Sequence, residues 1–233
     1  MRIFSRLLFM LVLAGSLSTH AQSLMSDLMS GKLVNPEVGV FAWYTLTDAK
    51  GEREYFLRQA VVGTEKVNRK EAFWLETELV PKVGYPSVYK MLLTGPAQDP
   101  KNVHRLIVRE GQGPAQEVEV DRSQKMESTG ETARNSTGME TVSIPGEEIA
   151  SEHFVMEDDK GNTEIWVSDK IRPMGLVRMK SPEGELILQR YGVGGNDGKS
   201  AITEVQSPAQ SAEEPDSDGS KPRTNFGGRR NKR

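Results

Sequence analysis

Three histidines and no cysteine are all that this chain offers in imidazole and thiol chemistry. His153 stands in the run Ser151-Glu152-His153-Phe154-Val155. A side chain that titrates near neutral pH is a candidate general base. A base needs a nucleophile to activate, and neither a cysteine nor a G-x-S-x-G turn occurs anywhere. His153 therefore reads as a strand residue on an exposed face, and His104 as a residue on the polar side of a helix over 100–110. Metal chemistry is similarly thin. No HExxH spacing occurs, thiolate sites are excluded, and Glu157-Asp158-Asp159 with Asn162 lacks the glycine and distal glutamate of a calcium loop. Those acids are turn formers instead. Neither a metal nor a cofactor is expected. Asn135-Ser136-Thr137 matches a glycosylation sequon, which says little in a bacterial-type exported chain.

Three tryptophans remain as possible contact residues. Trp74 shares strand parity with Glu76, and Trp166 with Glu164 and Ser168, so both fall on the polar side of their strands; Trp43 is the third. Exposed tryptophans anchor partners, but large aromatics are mostly covered, and packing is the preferred reading.

The elements that position these residues begin with an export signal. Arg2 and Arg6 precede the apolar run Leu7–Ala14, and Thr19-His20-Ala21 offers small residues for a signal peptidase. Cleavage is expected near Ala21, and no cysteine follows for lipid attachment, so a periplasmic protein starting near Gln22 is expected. Removing residues 1–21 leaves 28 basic against 33 acidic residues, a net charge of −5. That balance argues against a nucleic-acid partner. No later apolar stretch reaches membrane-spanning length.

The body, 36–194, alternates short β-like runs with turn signals at hairpin spacing. The runs are Val38–Leu46, Tyr55–Val62, Ala72–Val80, Tyr85–Leu93, Glu152–Met156, Glu164–Ser168, Leu176–Lys180 and Glu185–Tyr191. Connections this short join antiparallel strands. Two helical pieces are expected: an N-terminal segment within 22–35, from Leu24, Leu28 and Met29, and a helix over 100–110. The second starts at Asp99-Pro100 and carries Val103, Leu106 and Ile107 at helical spacing. Residues 111–138 read as a long loop around one weak strand. Residues 195–233 read as a disordered tail, acidic at 213–218 and basic at 221–233.

Strand alternation is one-sided. Phe73, Leu75 and Leu79 oppose Glu76 and Glu78; Tyr89, Met91 and Leu93 oppose Lys90; Val177 and Met179 oppose Arg178 and Lys180. One face of a curved sheet is therefore apolar and needs a cover. The fold expected is mainly β with a few short helices, a curved antiparallel sheet or incomplete β-barrel with a helical lid.

An exported precursor with such a meander resembles the LolA/LolB-like fold of outer-membrane lipoprotein-sorting proteins. The segment Ile165-Trp166-Val167-Ser168-Asp169-Lys170-Ile171-Arg172-Pro173-Met174-Gly175-Leu176-Val177 also resembles a stretch of exported bacterial proteins with that predicted fold. The resemblance implies an apolar concavity, partly closed by helices, that carries lipid or a lipidated protein across the periplasm. No family ligand residue matches individually. On the residues alone, the expected ligand lining is Phe73, Leu75, Tyr89, Met91, Leu93, Val177 and Met179, with Val103, Leu106 and Ile107 from the lid. The alternative is an interaction module that meets an envelope protein through the 111–138 loop or the tail. An enzyme is the third reading, without a visible catalytic constellation.

Overall fold

The computed structural model describes residues 32–120, 135–158, 161–203 and 205–206. The expected leader, the helix-forming residues up to Gly31, the segment 121–134 and the charged stretches at 213–218 and 221–233 lie outside these. Lys32–Asn35 are not helical.

The described residues form twelve strands: β1 (Val40–Asp48), β2 (Glu54–Val67), β3 (Lys70–Pro81), β4 (Ser87–Leu93), β5 (Val103–Glu110), β6 (Ala115–Val118), β7 (Asn135–Ile144), β8 (Glu147–Asp158), β9 (Gly161–Val167), β10 (Leu176–Ser181), β11 (Gly184–Val193) and β12 (Val205–Gln206). They make one sheet in the order β12-β6-β5-β4-β3-β2-β1-β11-β10-β9-β8-β7. Each pairing is antiparallel except the two-residue parallel pair between β12 and β6. The mainly β antiparallel expectation holds, and the sheet is open.

The sheet curves at its β7 end, although the covalent link alone would not require it. β6 and β7 stand ten spacings apart in this order, about 48 Å across a flat sheet at 4.8 Å per spacing. The covalent link from Val120 to Asn135 reaches at most about 54 Å. The curvature is visible directly, because the β7–β8 tip folds back until Glu147 accepts the Tyr191 hydroxyl at 3.1 Å.

The expected helix over 100–110 is corrected. Asp99 does cap a turn, accepting from the Lys101 N–H, but the turn is a single 3₁₀ piece, Pro100–Asn102. Val103–Glu110 then runs as β5, with Val108 opposite Tyr89 and Leu106 opposite Met91. Three β-branched residues, Val103, Ile107 and Val108, meet an available strand edge, and that pairing outweighs the i, i+3, i+4 coincidence. No helical lid exists among the described residues.

Other boundaries move for local reasons. The polar stretch 65–70 belongs mostly to β2 and β3, which turn at Asn68-Arg69, both in the left-handed region at φ 50° and 67°. Two such residues suit the tight turn between twisted strands. β7 is a ten-residue strand, four residues of which were assigned to the loop. Its turn into β8, Pro145-Gly146, has no Asn-Gly or Asp-Gly signature.

The apolar face carries two clusters. The larger holds Tyr44, Leu57, Ile165, Ile171, Leu176, Val177, Met179, Leu186 and Leu188, all buried. The smaller holds Leu75, Met91, Leu93, Ala97 and Val103, flanked by Leu33, Leu106, Val120 and Met174. The 168–175 loop links them, putting Ile171 into the first and Met174 beside the second. The Val34 N–H donates to the Pro173 carbonyl at 2.7 Å and ties the chain's start to that loop.

Candidate functional site

Register places Phe73, Leu75, Tyr89, Met91, Leu93 and Leu106 on one face of β3–β5, with Val103 joining their cluster. Leu75, Met91, Leu93 and Val103 are buried; Phe73, Tyr89 and Leu106 are half-covered. Val177 and Met179 belong to the larger cluster, so they do not line a common patch with the others. Ile107 is a correction. In a strand it points away from Leu106, and it lies on the outer face with Ala72, Trp74, Val88, Leu92, Ala115 and Ile202. The cover that sequence reasoning missed is the 168–175 loop. Its signal was Ile171 and Met174, apolar residues set among Asp169, Lys170 and Arg172.

Polar groups interrupt this apolar face, among them buried Gln59, which stands opposite Thr77 in the β2–β3 register. The Thr77 hydroxyl is fully buried with no hydrogen-bond partner among the described residues. An unmet hydroxyl costs about 1–3 kcal/mol. Burial, aided by the Glu110 charge, raises the Tyr89 phenol above its ordinary range, and Tyr89 sits directly opposite Thr77 in the β3–β4 register. The face thus offers apolar area with a buried hydroxyl in its midst.

The outer face carries two charged clusters. In the first, the His153 ring stacks on Trp166 with centroids 4.3 Å apart. Its Nδ1 lies 3.0 Å from Glu140 Oε1 and its Nε2 lies 3.2 Å from Glu164 Oε2. Trp166 Nε1–H donates to Glu140 Oε2 at 2.8 Å, and the Arg178 guanidinium lies 5.1 Å from the Trp166 ring. Hydrogen bonds from Trp166 first, and from His153, hold the Glu140 carboxyl below its usual range. His153 is 7% exposed, so the exposed-strand expectation is corrected; β7 and β9 supply carboxylates on either side and cover it. Both ring nitrogens lie beside carboxylates, Nδ1 within hydrogen-bond geometry and Nε2 by proximity alone. The packing reading holds for Trp74 and Trp166, both buried. His104, expected on a helix, lies on β5 with Nε2 2.8 Å from Thr94 Oγ1.

In the second cluster, residues 195–202, expected within the disordered tail, run across the outer face of β1–β5. Arg58, paired with buried Glu76 and with Glu78 at 2.9 Å, donates from Nη1 to the carbonyls of Asp197 at 2.8 Å and Lys199 at 3.1 Å. Asp197 accepts from Trp43 Nε1 at 3.0 Å and pairs with Arg190. Only Ile202 and Ala201 signal this docking in the sequence, inside a run of Gly, Asn, Asp, Lys and Ser.

Among the described residues, no group of three His, Asp or Glu side chains is placed to hold a metal. No helix there is long and apolar enough to cross a membrane. The architecture is that of an open antiparallel sheet with one self-covered apolar face. No family model, curated protein or solved structure matches the chain.

Proposed function

We propose that the protein is a periplasmic carrier that holds a lipid, or the acyl chain of a lipidated protein, against the apolar face of its open sheet. The observation that carries this reading is the nature of the cover. Among the described residues, the apolar face is covered by the 168–175 loop, Leu33, Ala97, Val120 and the folded-back β7–β8 residues Val142, Ile144 and Ile149, with no helix pair over it. Phe73, Tyr89 and Leu106 stay half-covered at its margin. Shifting the loop costs apolar contacts that an acyl chain restores, at roughly 25 cal/mol per Å². The buried Thr77 hydroxyl gives a polar group of the ligand somewhere to bind. The export signal and the LolA/LolB-like resemblance agree with lipid handling between membranes.

A fluorescent fatty acid tests it. Leu106 is half-buried, so Leu106→Glu places a charge on the ligand face while sparing the core. Saturable uptake by the unsubstituted protein, weakened at least about tenfold in the variant, is the expected result. Absent saturable uptake, or equal uptake by both, overturns the reading.

A second reading rests on one specific observation. Strand β12 adds to the β6 edge of the sheet, so the chain beyond Gln206 leaves from a defined place. In this reading the protein is an interaction module that presents its charged C-terminal stretch to an envelope protein, and truncation after Gln206 abolishes partner capture.

A further inference from the structure

The contacts of residues 197–202 are those of a bound peptide, read chiefly through its main chain. Arg58 takes the carbonyls of residues 197 and 199, and Arg109 Nη1 takes that of residue 201 at 2.8 Å. Glu76 accepts the Ala201 N–H at 2.8 Å and the Ser200 hydroxyl, while Lys90 Nζ donates to that hydroxyl at 3.1 Å. Ile202 then fills an apolar socket with Ala72, Val88, Leu92, Ile107 and Ala115. Three carbonyls, one amide, one hydroxyl and one β-branched anchor define the recognition, and from residue 199 onward side-chain identity matters at only two positions. Before them, the Asp197 carboxylate meets Trp43 and Arg190, and glycine is needed at 198. The receptor groups are built and costly: Glu76 is fully buried and Arg58 is 3% exposed. A buried ion pair stabilises less than packed apolar residues of the same volume, so its retention here fits a binding surface better than a core.

We infer that the outer face of β1–β5 is a peptide-recognition groove, filled in cis by residues 197–202 and in trans by an extended segment of a partner protein. The partner segment carries a serine two residues before an isoleucine or valine, with a small residue between. The cis segment competes at the high effective concentration that a short tether gives. Glycine at 198 sets the closeness of that contact, since a Cβ there would lie 2.4 Å from the Gly39 carbonyl oxygen. The inference goes beyond the carrier reading and does not depend on it.

The test uses the full chain and a labelled peptide with the sequence of residues 196–205, Asn-Asp-Gly-Lys-Ser-Ala-Ile-Thr-Glu-Val. Gly198→Val displaces the cis segment through the Gly39 clash. Ile202→Ser weakens its anchor and serves as the second opened chain if the first misfolds. Fluorescence anisotropy should show the peptide binding an opened chain at least about tenfold more tightly than the unsubstituted one. A peptide with aspartate in place of its isoleucine should bind neither. If a folded, opened chain binds no peptide, or binds both peptides equally, residues 197–202 are ordinary tertiary packing and the inference fails.

Discussion

The two faces of this sheet are both covered by loops, and the covers work by opposite physics. On the apolar face, Ile171 and Met174 of the 168–175 loop make contacts that have no direction. On the outer face, residues 197–202 are held by hydrogen bonds to Arg58, Glu76 and Arg109, each with one acceptable geometry. The contacts of the apolar cover can be replaced by another apolar group, while its backbone stays tied through the Val34 N–H to the Pro173 carbonyl at 2.7 Å. A hydrogen-bonded cover comes away only if something supplies the same donors and acceptors. The first suits a generic apolar ligand, the second a peptide of matching main-chain pattern.

Breaking the outer cover should have the larger effect. Glu76→Ala leaves Arg58 buried beside Glu78 alone, and loss of one partner of a buried pair costs about 3–5 kcal/mol. Urea denaturation should show that loss. A change under about 1 kcal/mol would mean that water reaches Arg58 freely. On the apolar face, Ile171→Ala removes a fully buried anchor and should cost about 2–4 kcal/mol. The same variant should take up the fluorescent fatty acid more readily, because its cover is loosened. Weakened uptake would show that the loop forms the site and does not close it.

Acid should separate the faces as well. Pairing with Arg190, and then the Trp43 hydrogen bond, hold the Asp197 carboxyl below its ordinary range. A carboxyl lowered on folding contributes fully above its unfolded value, about 3.9, and that contribution is lost as pH falls through the lower folded value. The Trp43 indole N–H resonance should therefore shift with a midpoint below the ordinary aspartate value. A midpoint at that value would mean that Asp197 and Trp43 are not in contact. On the apolar face, the covering contacts of Ile171 and Met174 carry no charge to titrate, although Arg172 of the same loop pairs with Glu37 at 2.8 Å. The smallest effect is expected at Thr77. Thr77→Val removes a buried hydroxyl without a partner and should leave the apo protein as stable or slightly more stable. If the hydroxyl binds the ligand's polar group, the variant's affinity falls by several-fold. A destabilised apo variant would mean that the hydroxyl has a partner in the folded protein.

Much of the sheet was legible because period-two alternation in segments such as Phe73–Leu79 and Tyr89–Leu93 needs no tertiary information. β5 was misread because Val103, Leu106 and Ile107 satisfy the helical period while β4 offers an edge that the local pattern does not reveal. β7 was missed because its sequence, Asn-Ser-Thr-Gly-Met-Glu-Thr-Val-Ser-Ile, has one covered parity only at its end. Leu75, Met91 and Leu93 were assigned to the right face, and Leu106, expected on a helical lid, lies on that face as a residue of β5. Ile107 does not, since a change from helix to strand moves neighbouring residues to opposite sides. The 168–175 loop and the docked segment 197–202 were not legible as covers. Each depends on contacts far apart in sequence, and each is anchored by only one or two apolar residues among polar ones.

The central claim is that the apolar face accepts an acyl chain. Its most direct test is native mass spectrometry of the protein purified from the cells that make it, with a lipid extract of the same sample. The account predicts an added mass at defined stoichiometry, matching an acyl species in the extract and lost in Leu106→Glu. A bare polypeptide mass with no extractable lipid would contradict it, and would leave the loop as a permanent plug of a self-filled core.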